Sequence, residues 1–397
     1  MLSDNADPQA LNGQGMQALA RGAFGEAAEL FAAAAAADPG APALWINLAT
    51  AQRNAGDDDG ERTALQRALE IDQCHLTANI RLAELQERLG ETGKAAFRWG
   101  AVLAIAQGLP ERPANLAPLL DHAQAYVDKQ GRAFAETVDG GLADTRAVIP
   151  LSERRRFDAC VDAMLGRRRI YHNECAGLHF PFLPADEFFE RRHFPWLDEI
   201  EVMTAAIRAE FEALRDGGLQ DFSPYVEMEK GVPDNKWTAL DHNLDWSALH
   251  LWRHGEPIED ACRRCPETAA ALAAMPLAQV PGRMPTAFFS VLRPRTHLPA
   301  HHGVSNARAI IHLPLIVPAG CRFRVGGETR EWRVGEAWAF DDTIDHEAWN
   351  DSDELRAILI FDTWNPHLSE AERHLLTAFF AASDASGLAA EASALGD

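Results

Sequence analysis

The sequence predicts a multidomain α + β protein: an α-helical solenoid at the N-terminal end, then an antiparallel β domain with flanking helices. Three observations predict it. Over the first hundred residues large apolar side chains recur at helical spacing in an alanine-rich background, and the pattern repeats every 34 residues. Over residues 288–364 apolar and polar residues alternate in short runs punctuated by Gly, Pro, Asn and Asp. That is how consecutive antiparallel strands with tight turns read. At 397 residues and 47% hydrophobic content, the chain is too long for one ordinary core and apolar enough to build two or three.

Composition removes several function classes. No apolar run reaches the roughly 20 residues that span a bilayer. The first residues, MLSDNADPQALNGQG, hold neither a basic start nor an apolar block, so no secretory signal is expected and the location expected is cytoplasmic. A net charge of -22 opposes nucleic-acid binding and docking on anionic lipid, and favours neutral or basic partners. Of six cysteines, only Cys262 and Cys265 stand at a motif-like spacing. One such pair without a second reads as two reduced thiols at a helix start.

The repeats come first along the chain. Gly22, Gly56 and Gly90 fall 34 apart, as do Phe31, Leu65 and Trp99, and Ala34, Ala68 and Val102. Each unit reads as helix, turn at the glycine, helix, closed at Asp38-Pro39 and again at Asp72-Gln73. Over residues 8–107 this resembles the tetratricopeptide repeat, which implies a stack of helical hairpins whose concave face receives a peptide or partner segment. Gly108-Leu109-Pro110 breaks the pattern. Within a linker at 108–155, a helix is expected over 113–137 and a hinge at residues 139–143 (Asp-Gly-Gly-Leu-Ala). A helix over 150–166 carries Arg154, Arg155 and Arg156, read as a solvated face. Further helical spacing covers 197–215 and 258–275. Ser369, followed by acidic residues, opens a final helix to about Ala382, and a frayed tail is expected at 383–397.

Histidines mark the β region. His301 and His346 lie 45 residues apart, each where a strand meets a polar turn. A double-stranded β-helix brings such strand ends to one mouth of its barrel. Two neutral imidazoles suit Fe(II), Zn or Cu(II). A facial triad places a carboxylate two residues after its first histidine, and here that residue is Gly303. Arg356 follows His346 by ten residues, across the turn signal Asn350-Asp351-Ser352-Asp353. A turn near Asp351 is expected to return the chain so that Arg356 lies level with His346. Arg356 begins an apolar run, and a buried guanidinium needs an anion. The residues alone leave two: the carboxylate of a small co-substrate, or Asp362.

From about residue 180 to 380 the chain resembles the aspartyl/asparaginyl β-hydroxylases, Fe(II)- and 2-oxoglutarate-dependent dioxygenases with a double-stranded β-helix (jelly-roll) domain, here expected at 156–382. The resemblance is carried by FFSVLRPRTHLPAHHGVSNARAIIHLPLIVP at 288–318, by GE-x-x-x-FDD-x-x-x-H at 335–346, by Arg356, and by DTWNPHL at 362–368. It implies His301 and His346 as iron ligands, with water where other oxygenases place a carboxylate, as Gly303 allows. It implies Ser290 and Arg356 at the distal carboxylate of 2-oxoglutarate and His312 at the chelating end. His297 and His302 are left without a metal role. The chain departs from the family at Ile310, where a second arginine is common; Arg308 is the expected substitute. The activity implied is O2-dependent hydroxylation of Asp or Asn side chains in a protein or peptide brought by the repeats. The alternatives are the same chemistry on a free amino acid, small metabolite or lipid, or a non-catalytic repeat scaffold with a degenerate oxygenase domain.

Overall fold

The computed structural model describes residues 7–110 and 116–386. The chain divides into two compact units, residues 1–161 and 162–397, each taken by itself below.

The first unit is helical. Helices α1 (Pro8–Ala20), α2 (Phe24–Ala37), α3 (Pro42–Ala55), α4 (Asp58–Ile71), α5 (Leu76–Arg88) and α6 (Thr92–Gln107) form three successive antiparallel hairpins. Gly22, Gly56 and Gly90 all take positive φ at the turns, which is why glycine recurs there. The second helix of each hairpin buries its large residue: Phe31, Leu65 and Trp99 are at most 1% exposed. Opposite them the first helices carry small residues, Gly15, Ala49 and Ala83. A Cβ on Gly15 would stand 2.7 Å from the Phe31 ring, so the alternation of small and large is a packing requirement. These helices resemble tetratricopeptide repeats in length, turn position and small-to-large packing.

Helix α7 (Ala117–Val148) corrects one expectation, because it runs unbroken through residues 139–143, where a hinge was expected. Gly140 and Gly141 sit in it with open space around them, and Arg146 bonds back to Asp139 at 2.9 Å. Two glycines cost a helix roughly 1 kcal/mol each, too little to break one this long. The first expected residues of this helix, 113–115, lie outside the described residues. Helix α8 (Leu151–Met164) follows.

The second unit is built on two antiparallel sheets. The larger has the order β1 (Ser223–Pro224), β2 (Trp246–Arg253), β4 (Ala287–Leu292), β11 (Arg356–Trp364), β6 (Arg308–Ile316), β9 (Trp338–Phe340), with β3 (Glu256–Pro257) beside β2. The smaller is β5 (Thr296–His301), β10 (His346–Asn350), β7 (Cys321–Val325), β8 (Glu328–Glu331). From β4 onward the chain crosses between the sheets at every connection except the β7–β8 hairpin, which is the winding of a double-stranded β-helix. Strand periodicity divides the side chains. Phe289, Val291, Ile311, Leu313, Leu359 and Phe361 face a core shared with α9 (Leu197–Val202), α10 (Thr204–Asp216), α11 (Glu259–Arg264) and α12 (Pro266–Ala274). The alternate residues, Ser290, Arg308, Ile310, His312, Arg356 and Ile358, line the barrel interior. Helix α13 (Glu370–Ala385) begins with a full capping box between Ser369 and Glu372 and runs three residues past the expected end at Ala382; residues 387–397 of the expected tail are not described.

Cys262 donates its thiol to the Leu251 carbonyl at 3.4 Å, while Cys265 is fully buried and its thiol is pushed up to about 12. Burial is the main cause. Both thiols belong to the packing beneath the large sheet.

Candidate active site

One cavity of about 370 Å³ in the second unit brings together all six site residues named from the sequence: Ser290, His301, Arg308, His312, His346 and Arg356. His301 ends β5, His346 begins β10, and the two are register partners across the small sheet. Their rings lie 4.0 Å apart between centroids. Each ring is held by its Nδ1–H, which donates to the carbonyl two residues earlier, Pro299 at 2.7 Å and Ile344 at 3.0 Å. That arrangement fixes the tautomer and leaves both Nε2 lone pairs for a ligand. Burial keeps the rings neutral: His346 is held down to about 4, and His301 well below the ordinary value, with His346 beside it adding to the effect.

Gly303 stands where a third protein ligand was sought. A Cβ there would meet the Asp342 carboxylate at 2.1 Å, so the space is filled from the opposite strand connection. Among the described residues no group of three or more His, Cys, Asp or Glu converges, so the pair is a two-histidine set. Neutral imidazoles with tied Nδ1 atoms fit a divalent first-row metal that keeps open positions.

Arg356 is 1% exposed. Its guanidinium donates to Ser290 Oγ at 3.4 Å and lies over the Trp332 ring at 5.1 Å. Among the described residues it has no carboxylate in ion-pair reach, its Nε has no partner, and burial lowers it to about 10. Asp362, the alternative anion, is engaged elsewhere: it accepts from the Thr286 amide at 3.1 Å and pairs with Arg308 at 3.5 Å. A buried cation without an anion is costly, and a ligand carboxylate is the group that fits it. Ser290 Oγ also accepts from Trp246 Nε1 at 3.2 Å, which leaves its own hydrogen to donate to such a carboxylate. His312 accepts from Trp332 Nε1 at Nδ1, 3.4 Å, so its proton sits on Nε2. These features fit a dicarboxylate co-substrate.

Two expectations change. Arg356 does not come beside His346 by a hairpin: β10 pairs in the small sheet and β11 in the large one. The reason is Asn350, fully buried, whose Nδ2 donates to the carbonyls of Leu292, Arg293 and Glu354 and turns the chain from one sheet to the other. Arg356 then reaches the cavity from the opposite wall. Arg308 does line the cavity, but its charge is taken by Asp342 at 3.1 Å and Asp362, so it does not replace an arginine at Ile310. His297 lies on Glu347 and Trp349, and His302 lies between Glu174 and Asp345 at the cavity edge. Trp246 and Trp332 are the residues that the sequence did not single out for the site. Their signal is that a buried indole N–H requires an acceptor.

The model of a family described as aspartyl/asparaginyl beta-hydroxylase matches residues 201–366, which contain every residue of this site. The aspartyl/asparaginyl beta-hydroxylase of Mus musculus is 33% identical over 194 residues, 46% of this chain and 25% of that protein. The ornithine lipid ester-linked acyl 2-hydroxylase of Rhizobium tropici is 35% identical over 50% of this chain and 67% of its own. Aspartate beta-hydroxylase domain-containing protein 1 of Mus musculus is 32% identical over 74% of this chain and 80% of its own. The chain belongs to the aspartyl/asparaginyl β-hydroxylase family. It spans about a quarter of the length of the mouse β-hydroxylase that it matches.

Proposed function

We propose that this protein is an Fe(II)- and 2-oxoglutarate-dependent dioxygenase that hydroxylates Asp- or Asn-type side chains of a protein or peptide recruited by the helical repeats. The observation that carries the reading is Arg356, a buried cation with no acidic partner among the described residues, sharing one cavity with a neutral histidine pair. His301 and His346 would hold the metal through Nε2. When bound, the metal, 2-oxoglutarate and O2 supply the oxidising power for C–H hydroxylation, with succinate and CO2 as co-products. Arg356 and Ser290 receive the distal carboxylate, and His312 donates its Nε2–H toward the chelating end. Trp237, edge-on to His301 at 5.0 Å, together with Trp246 and Phe323, shields the site from water.

A second reading keeps the chemistry and changes the substrate to a lipid acyl chain. Its support is the similarity to the Rhizobium tropici acyl hydroxylase and the apolar wall of Phe288, Val304 and Ile360.

Succinate formation by anaerobically iron-loaded protein on admission of O2, with and without added peptides, tests the enzyme reading. Succinate is expected from the wild type and its loss from His346→Ala. No succinate under any condition, or equal amounts from both proteins, removes the reading.

A further inference from the structure

Trp332 touches both ends of the proposed co-substrate site without entering it. It follows β8 directly, is 4% exposed, and is not among the described residues that line the cavity. Its indole is packed by Phe323, 5.4 Å away between ring centroids, and by Trp338, stacked at 5.9 Å. From there two different parts of the ring make contact with the site. The Nε1–H donates to His312 Nδ1 at 3.4 Å, and the ring face lies under the Arg356 guanidinium at 5.1 Å.

Each contact settles something that the receiving residue leaves open. A neutral imidazole carries its proton on either nitrogen, and the hydrogen bond made at one nitrogen decides which. His312 is packed between Phe323 and Phe340, at 4.9 and 4.7 Å, and among the described residues Trp332 is its one hydrogen-bond partner. An N–H aimed at Nδ1 requires a lone pair there and leaves the proton on Nε2. That proton matters because Ile310 offers no donor beside it and Arg308 is engaged by Asp342 and Asp362. Arg356 has no carboxylate in ion-pair reach among the described residues, and an indole face is the best aromatic support for such a cation.

We infer that Trp332 is a positioning residue for the co-substrate: its N–H fixes the His312 tautomer at the chelating end, and its ring face supports Arg356 at the distal end. The inference rests on the proposed use of 2-oxoglutarate and adds the side chain that ties the two ends together. Trp332→Phe keeps an aromatic face and removes the N–H, so it separates the two contacts. Without that hydrogen bond the imidazole proton is free to move to Nδ1, and Nε2 then no longer donates to a carboxylate. A hydrogen bond of this kind corresponds to about tenfold in affinity.

Heteronuclear NMR of the full, metal-free chain with ring-nitrogen-labelled histidine reads the tautomer directly, the His312 signals being assigned through His312→Gln. Anaerobic calorimetry on Fe(II)-loaded protein reads 2-oxoglutarate affinity. Ligand-observed NMR reads pentanoate, which carries the distal carboxylate alone. In the wild type His312 is expected as the Nε2–H tautomer. Trp332→Phe is expected to populate Nδ1–H, to weaken 2-oxoglutarate about tenfold, and to leave pentanoate binding unchanged. Trp332→Leu removes the face as well and is expected to weaken pentanoate too. An Nδ1–H tautomer in the wild type overturns the inference, and that measurement requires no variant to fold. Trp332→Phe with the tautomer and the 2-oxoglutarate affinity both unchanged also overturns it. So does equal weakening of 2-oxoglutarate and pentanoate, the mark of a merely structural role. In these three cases the wild type still binds 2-oxoglutarate and the oxygenase reading stands, whereas no 2-oxoglutarate binding to the wild type removes both.

Discussion

At the scale of single residues, the site depends on which groups are kept neutral and which charge is left unmatched. Burial holds His346 uncharged down to about 4, where an exposed imidazole protonates near 6.5. A metal competes with protons for the same Nε2 lone pair. Because the folded pKa is lowered, protons compete only as pH falls toward 4. Metal affinity is therefore expected to be nearly flat between about pH 6 and 8. Two ordinary histidines would lose roughly a hundredfold per pH unit below 6.5, and calorimetric metal titration across that range separates the cases. Ser290→Ala removes one hydrogen bond and is expected to weaken 2-oxoglutarate binding about five- to tenfold. Much of this was legible in the sequence. His301, His346, Ser290 and Arg356 stand in short motifs at fixed spacing, and those motifs encode strand ends. What the motifs could not show was partner choice: that Asp362 goes to Arg308, leaving Arg356 without a carboxylate among the described residues, depends on which strands are neighbours in the sheet.

At the scale of elements, the crossing between sheets governs the geometry. The signal at Asn350-Asp351-Ser352-Asp353 does reverse the chain, yet its consequence differs, because a hairpin and a crossover share the same turn residues. Asn350 distinguishes them through three carbonyl acceptors on two chain segments. Asn350→Ala leaves those carbonyls buried and unmet, so a loss of about 2–4 kcal/mol in urea unfolding is expected. Gly303 is the second constraint. Any Cβ there collides with the Asp342 carboxylate, so Gly303→Ala should shift the chain beside His301 and lower metal affinity about tenfold or more. Metal affinity equal to wild type would show that Asp342 yields without cost. The unbroken α7 is the converse lesson, since glycines at exposed helix positions signal a hinge only when no neighbouring contact continues the helix.

At the scale of the whole molecule, a helical repeat unit and a β unit of the aspartyl/asparaginyl β-hydroxylase family share one chain. The repeats were legible because each hairpin needs the same turn glycine and the same small-to-large contact, which impose a period on the sequence. Side chains link the first helices of successive hairpins, Asn47 to Asn12 and Arg81 to Thr50, and the recruitment proposed above is tested along them. Asn47→Ala combined with Arg81→Ala is expected to raise KM for a protein substrate several-fold and to leave substrate-free succinate formation unchanged. An unchanged KM would remove the recruitment role. The central claim, that the cavity holds 2-oxoglutarate by an otherwise unmatched arginine beside a two-histidine metal site, is tested most directly by anaerobic calorimetric titration of 2-oxoglutarate into the Fe(II)-loaded protein. The account predicts one site per chain, weakened about a hundredfold in Arg356→Ala and abolished in His346→Ala. Affinity that is the same in wild type and Arg356→Ala would contradict it.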